Sequence, residues 1–258
     1  MRTKPQLPPD EAPLDEAAID LFLSKVGTDM VLVGGQALSF WMSRFGIEQD
    51  GMAISNDGDA LGAVQRAIEL ARKIHARIEL PPATSRTALV AQLRLPTSDG
   101  KERNIDVLHK LYTVGGLRKS STFTRRVIAE SVEVEWRPGH RIRVMDPFDV
   151  LESRAHNAVG LVTEKGPHVL TQARWAIQVA RAALYRVASD PASNDRLGRR
   201  LQDVYTLARS QVGRRLLAEH GIELFDAVDV DRLRPLAPDH HRQLDAIALA
   251  IAERKPNS

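Results

Sequence analysis

The chain has 258 residues, a formal net charge of +3, 43% hydrophobic and 27% charged residues, and no cysteine. These values exclude a disordered or fibrous chain and leave a globular protein with length enough for one large domain or two modest ones. The missing cysteines exclude disulfides and thiolate chemistry, so a metal would have to be held by oxygen or imidazole.

Residues 1–13 carry Pro5, Pro8, Pro9 and Pro13 and read as a flexible tail. They lack the apolar core of a secretory signal, and no stretch approaches the roughly 20 apolar residues of a membrane span, so the expectation is a cytoplasmic protein without a membrane partner. Leu14, Ala17, Ala18, Leu21 and Phe22 recur at helical spacing up to Val26. "MVLV" (30–33) reads as a buried strand that stops at Gly34 and Gly35, and "QALSFWMSRF" resumes a helix with Phe40 and Trp41 toward the core.

"SNDGD" (55–59) is made of turn formers, and composition alone reads it as a loop. At the start of a strand, however, a period of two would put Asp57 and Asp59 on one face. "LGAVQRAIELARKIHA" (61–76) predicts an amphipathic helix, and "TALVAQLRL" (87–95) and "RNIDVLH" (103–109) predict paired strands across "PTSDGKE". "VGGLRKSST" (114–122) lacks phosphate-loop spacing and reads as a plain loop. "SVEVEW" and "HRIRVM" form a hairpin across "RPGH".

At "DPFD" the character changes. Asp146 is an N-cap candidate with Pro147 in the first turn, and helical periods fill the rest of the chain. The expected division is a mixed α/β domain over 14–145 and a helical domain over 146–258, an α+β protein. Arginine outnumbers lysine in the second half, in "RWAIQVARAALYR", "RLGRR" and "RSQVGRR". These runs are either the solvated faces of amphipathic helices or guanidinium forks for a polyanionic partner. The histidines show no zinc spacing: His240-His241 is expected on a helix where neighbours point apart, and His109 on the surface beyond the Asp106 strand.

The chemistry gathers at three places. Two carboxylates side by side repel, and a hard cation such as Mg²⁺ relieves that repulsion. Asp106 is a lone acid between Ile105 and Val107 in an apolar strand. Gly34 and Gly35, between a strand and a helix, let backbone N–H groups approach a phosphate at the positive end of the helix dipole.

"VLVGGQALSFW", "SNDGDALG" and "NIDVL", in that order, resemble the signature of the DNA polymerase β-like nucleotidyltransferase superfamily. The stand-alone bacterial members similar to abortive-infection (toxin-antitoxin) nucleotidyltransferases are nearest, with "DPFDVLESR" introducing a helical half. The resemblance covers roughly residues 25–210 and implies a nucleotidyltransferase-type mixed sheet with flanking helices, followed by an all-α C-terminal domain. It further implies that Gly34 and Gly35 hold the triphosphate, that Asp57 and Asp59 bind Mg²⁺, and that Asp106 shares a second ion and activates the attacking hydroxyl. Arg154, where relatives often carry lysine, would reach the phosphates, and Asp203 resembles their later helical aspartate. The implied reaction moves a nucleoside monophosphate from an NTP to a hydroxyl of RNA, protein or a small molecule. Gly58 departs from the pattern, because relatives place a hydrophobic residue between the two acids and glycine costs strand order. The alternative is therefore a catalytically inactive module of the same fold that binds nucleic acid or a protein partner in a regulatory or toxin-antitoxin setting.

Overall fold

The computed structural model describes residues 11–48 and 57–254; Ser55 and Asn56 of "SNDGD", and Pro5, Pro8 and Pro9 of the N-terminal stretch, lie outside the described residues. Helix α1 (Glu16–Val26) starts where Asp15 accepts the Ala18 N–H at 2.9 Å and ends at Gly27. Strand β1 (Val31–Leu32) then runs directly into α2 (Gly34–Phe45). Strand β2 (Gly58–Leu61), α3 (Val64–Lys73), β3 (Arg77–Glu79), β4 (Leu89–Pro96) and β5 (Glu102–Leu108) follow. Next come α4 (Gly116–Glu130) and the hairpin of β6 (Val132–Arg137) and β7 (His140–Val144). Beyond it, every regular element among the described residues is helical: α5 (Pro147–Gly160), α6 (Val162–Lys165), α7 (His168–Ala188), α8 (Asn194–Arg209), α9 (Gln211–His220), α10 (Val230–Leu233) and α11 (His241–Ala252), with short 3₁₀ turns between some of them.

The strands form one seven-stranded sheet in the order β3-β4-β5-β2-β1-β7-β6. It is mixed: β2 lies parallel to β5 and β1 parallel to β7, and the other neighbours are antiparallel. The fold is thus α+β, and one continuous hydrophobic core runs from α1 through the sheet into the last helices. Helix α5 is the bridge. Asp146 caps it by accepting the Phe148 N–H at 2.9 Å, Pro147 opens it, and it is buried along almost its whole length. A helix buried on nearly all sides needs cover on all sides, and α2, α7, α8 and α9 supply it. Its buried polar side chains, Asp149, Ser153, Arg154, His156 and Asn157, need partners there. The buried Trp41 Nε1–H donates to the Met145 carbonyl at 2.8 Å, tying α2 to the point where the helical half begins.

Several expectations need correction. Glu11 bridges to Glu102 and the Ala12 N–H donates to the Glu102 carbonyl at 2.8 Å, so the end of the proline-rich stretch runs alongside β5. Leu61 belongs to β2 and the helix starts three residues later, after Gly62 and Ala63. "VGGLRKSST" is no loop: Gly115 is the N-cap of α4 and the helix runs from Gly116. His240 lies in a 3₁₀ turn, its Nδ1 2.9 Å from Gln243 Oε1, and only His241 is in α11.

Candidate active site

The parallel pairing of β2 with β5 sets Asp59 directly beside Asp106, and Gly58 beside Ile105. Residues in register on parallel neighbours project to the same face of the sheet. Along β5, Ile105 and Val107 are fully buried on one face, and Asp106 stands partly buried on the other. Gly58 belongs to the core face. A Cβ there would lie 3.1 Å from Ile105 Cγ1 and 3.2 Å from Leu14 Cδ1, tighter than an ordinary van der Waals contact. Glycine at this position therefore answers to crowding beneath the start of α1, and the residue lies in a strand, not a turn.

The paired glycines meet the acids from the neighbouring element. Gly34 has φ of +66°, and a Cβ on it would sit 2.0 Å from Asp59 Oδ2. Conformation and space both demand glycine at this one position. The Val33 N–H donates to the Asp59 carbonyl at 3.0 Å, and Gln36 Nε2 reaches the Asp57 carbonyl at 3.4 Å. Gly35 is buried in the same first turn, and α2 has no side-chain cap. First-turn amides have no partner within a helix, so this end of α2 presents N–H groups next to Asp59.

Burial, more than any neighbour, pushes the Asp57 and Asp59 carboxyls up to about 6, with Asp106 adding repulsion to both. Asp106 is likewise raised by burial, opposed by Gln92, whose Nε2–H donates to Asp106 Oδ1 at 2.9 Å from the facing position on β4. Glu11 adds negative charge beside Asp57 and Asp106. Lys165, exposed at the end of α6, draws all three carboxyls back down.

Arg154 is placed differently from the implied phosphate contact. It is 7% exposed, its Nη1 donates to Gln172 Oε1 at 3.0 Å and its Nη2 to Ser153 Oγ at 3.2 Å. Its charge stabilises the ionised Asp59, so it serves as a buried counter-charge to that acid. Asp203 is not brought to the acids: it is exposed on α8 and bonded to Arg200 Nη1 at 3.0 Å. His109 is exposed beyond β5. Sequence reading missed Gln92 and Lys165. The polar position inside "LVAQLRL" signalled Gln92; nothing local marked Lys165, which comes near the acids through the path of α5 and α6.

Of the arginine runs, Arg174, Arg196, Arg199 and Arg214 are exposed, whereas Arg200 is buried in ion pairs. As a donor set for a metal, Asp57, Asp59 and Asp106 offer oxygens only, which suits a hard cation in chemistry, and burial is the main reason they resist ionisation. In geometry, among the described residues, no three His, Asp or Glu side chains form a ready ligand group. No described helix is long and apolar enough to cross a membrane. A scan against protein-family models gives no match, and neither does a search of curated proteins.

Proposed function

We propose that this chain is a Mg²⁺-dependent nucleotidyltransferase that transfers a nucleoside monophosphate from an NTP to a hydroxyl of RNA, protein or a small molecule. The observation that carries the reading is the register of Asp59 with Asp106 on parallel neighbouring strands, closed on one side by Gly34 at the start of α2. Asp57, Asp59 and Asp106 would hold Mg²⁺, which when bound offsets phosphate charge and stabilises entering and leaving oxygens. The amides of Gly34 and Gly35 receive the phosphates, and exposed Lys165 adds positive charge near the acids. Gln92 fixes the orientation of the Asp106 carboxylate. In the transfer, the acceptor oxygen bonds to the α-phosphorus, the bond to the leaving pyrophosphate breaks, and the hydroxyl proton passes to Asp106.

A second reading keeps the fold without catalysis, as a module that binds nucleic acid or a protein partner. The side-chain bonds of Arg154, from Nη1 to Gln172 and from Nη2 to Ser153, favour it. One experiment separates the two. Each labelled NTP is incubated with Mg²⁺, total RNA and lysate protein; the enzyme labels an acceptor, and Asp59→Asn abolishes the label. Absence of label and of any NTP-dependent rise in melting temperature would sink the first reading.

A further inference from the structure

Between Asp106 and Glu130 the chain carries five lysine and arginine residues and no acid. Helix α4 holds Arg118, Lys119, Arg125 and Arg126, and Lys110 lies in the segment before it. The Leu111 N–H donates to Thr124 Oγ1 at 2.9 Å, which seats that segment against the helix. Arg126 is spent inside the molecule, on Asp149 and Glu152. Arg118, Lys119 and Arg125 are exposed, and among the described residues none of their side chains has a hydrogen bond or an ion pair. The positive charge of this face is not offset from within.

The same face is apolar in part. Helix α4 packs on the molecule through Ser120, Phe123, Thr124 and Val127. Leu117 is 77% exposed, the highest value for a large hydrophobic side chain among the described residues, and Ile128 is 43% exposed. About three turns separate these two, so they share one side of the helix. Arg118 and Arg125, about two turns apart, form a row roughly a quarter-turn away. A lone exposed leucine needs no explanation. Two apolar side chains in line beside a row of unpaired cations make a surface with two chemistries.

We propose that this face of α4 docks on an anionic lipid surface, with Arg118, Lys119 and Arg125 meeting the headgroups and Leu117 and Ile128 entering between them. Near such a surface each lysine or arginine is worth about fivefold in affinity, and apolar side chains at the headgroup boundary add to it. Nucleic-acid phosphates would engage the same cations but would leave Leu117 and Ile128 without apolar cover. The contact is peripheral, needs no spanning segment and does not depend on nucleotide transfer.

The test sediments the full chain with sucrose-loaded vesicles, either of phosphatidylglycerol and phosphatidylcholine in equal parts or of phosphatidylcholine alone. The chain is expected to bind the mixed vesicles, to leave the neutral ones in solution, and to bind less as salt rises from about 50 to 300 mM. Arg118→Gln with Arg125→Gln should weaken binding about tenfold or more. Leu117→Gln keeps every charge and should weaken it about threefold or more. All three changes fall at exposed positions, so both variants should melt like wild type. No binding to the mixed vesicles at low salt, or equal binding to neutral ones, overturns the proposal. So does unchanged binding in Leu117→Gln, which would mean that the face reads negative charge alone, as it would on a nucleic acid.

Discussion

A buried acid cluster and a partly buried one are compensated differently in this molecule. Around Asp146, which is fully buried, Oδ1 caps α5 and Oδ2 accepts from Arg200 Nη2 at 2.9 Å, while Arg200 Nη1 also meets Glu130 and Asp203. The Arg200 guanidinium also lies 5.1 Å from the centre of the Phe148 ring. This cluster joins α4, α5 and α8 and has a cation for its acids. Asp59 and Asp106 stand side by side with Glu11 near Asp106, and among the interactions that offset their charge are the remote charge of Lys165, Arg154 for Asp59, and one amide from Gln92 for Asp106. Acids matched by counter-charges serve the fold; under the proposed function, the group around Asp59 and Asp106 takes an added positive charge from a bound cation.

Breaking each group should reveal that difference. The largest effect is expected at the paired cluster: Arg200→Ala strands a buried carboxylate and should cost about 3–5 kcal/mol in denaturant unfolding. At the other group the sign reverses. The raised carboxyls of Asp57 and Asp59 make the folded protein hold more protons than the unfolded chain between about pH 4 and 6, so its stability falls as pH rises through that window. Asp57→Asn with Asp59→Asn should therefore stabilise the metal-free protein at pH 7.5 and flatten its melting temperature between pH 4 and 6. The same pair should lose the rise in melting temperature that NTP with Mg²⁺ gives wild type; a destabilised double variant would show that these acids belong to the structural class.

Smaller effects sharpen the contrast between the two glycines of the site. Gly34→Ala meets both a positive φ and the Asp59 side chain, and is expected to cost more than the roughly 1–2 kcal/mol of the positive φ alone and to remove the NTP response. Gly58→Ala meets only side-chain atoms at 3.1 and 3.2 Å and should cost less than Gly34→Ala, with transfer retained. Equal losses of transfer in the two variants would show that the phosphate-facing role assigned to Gly34 is mistaken.

Much of this arrangement was legible in the sequence because its signals are local. The apolar run before Gly34, the alternation around Asp106 and the Asp-Pro start of α5 each encode an element within a few residues, and the order of glycines and acids pointed to one site. Other features were hidden for physical reasons. Two glycines and a Lys-Ser pair masked α4, whose buried positions Ser120, Phe123, Thr124 and Val127 follow a helical period but mix polar with apolar residues. Strand β3 has three residues, too few for a pattern to register. The burial of Arg154 depends on Gln172 from α7 and Asp59 from β2, partners that no window around "ESRAHN" contains.

The two-residue strand β1 sits between β2 and β7, with Val31 paired to Leu61 on one side and to Arg143 on the other. During synthesis, its second neighbour emerges more than a hundred residues after it does. Until that hairpin arrives, the middle of the sheet has an open edge, so a nascent chain halted before β7 offers a template for intermolecular pairing and is prone to aggregate.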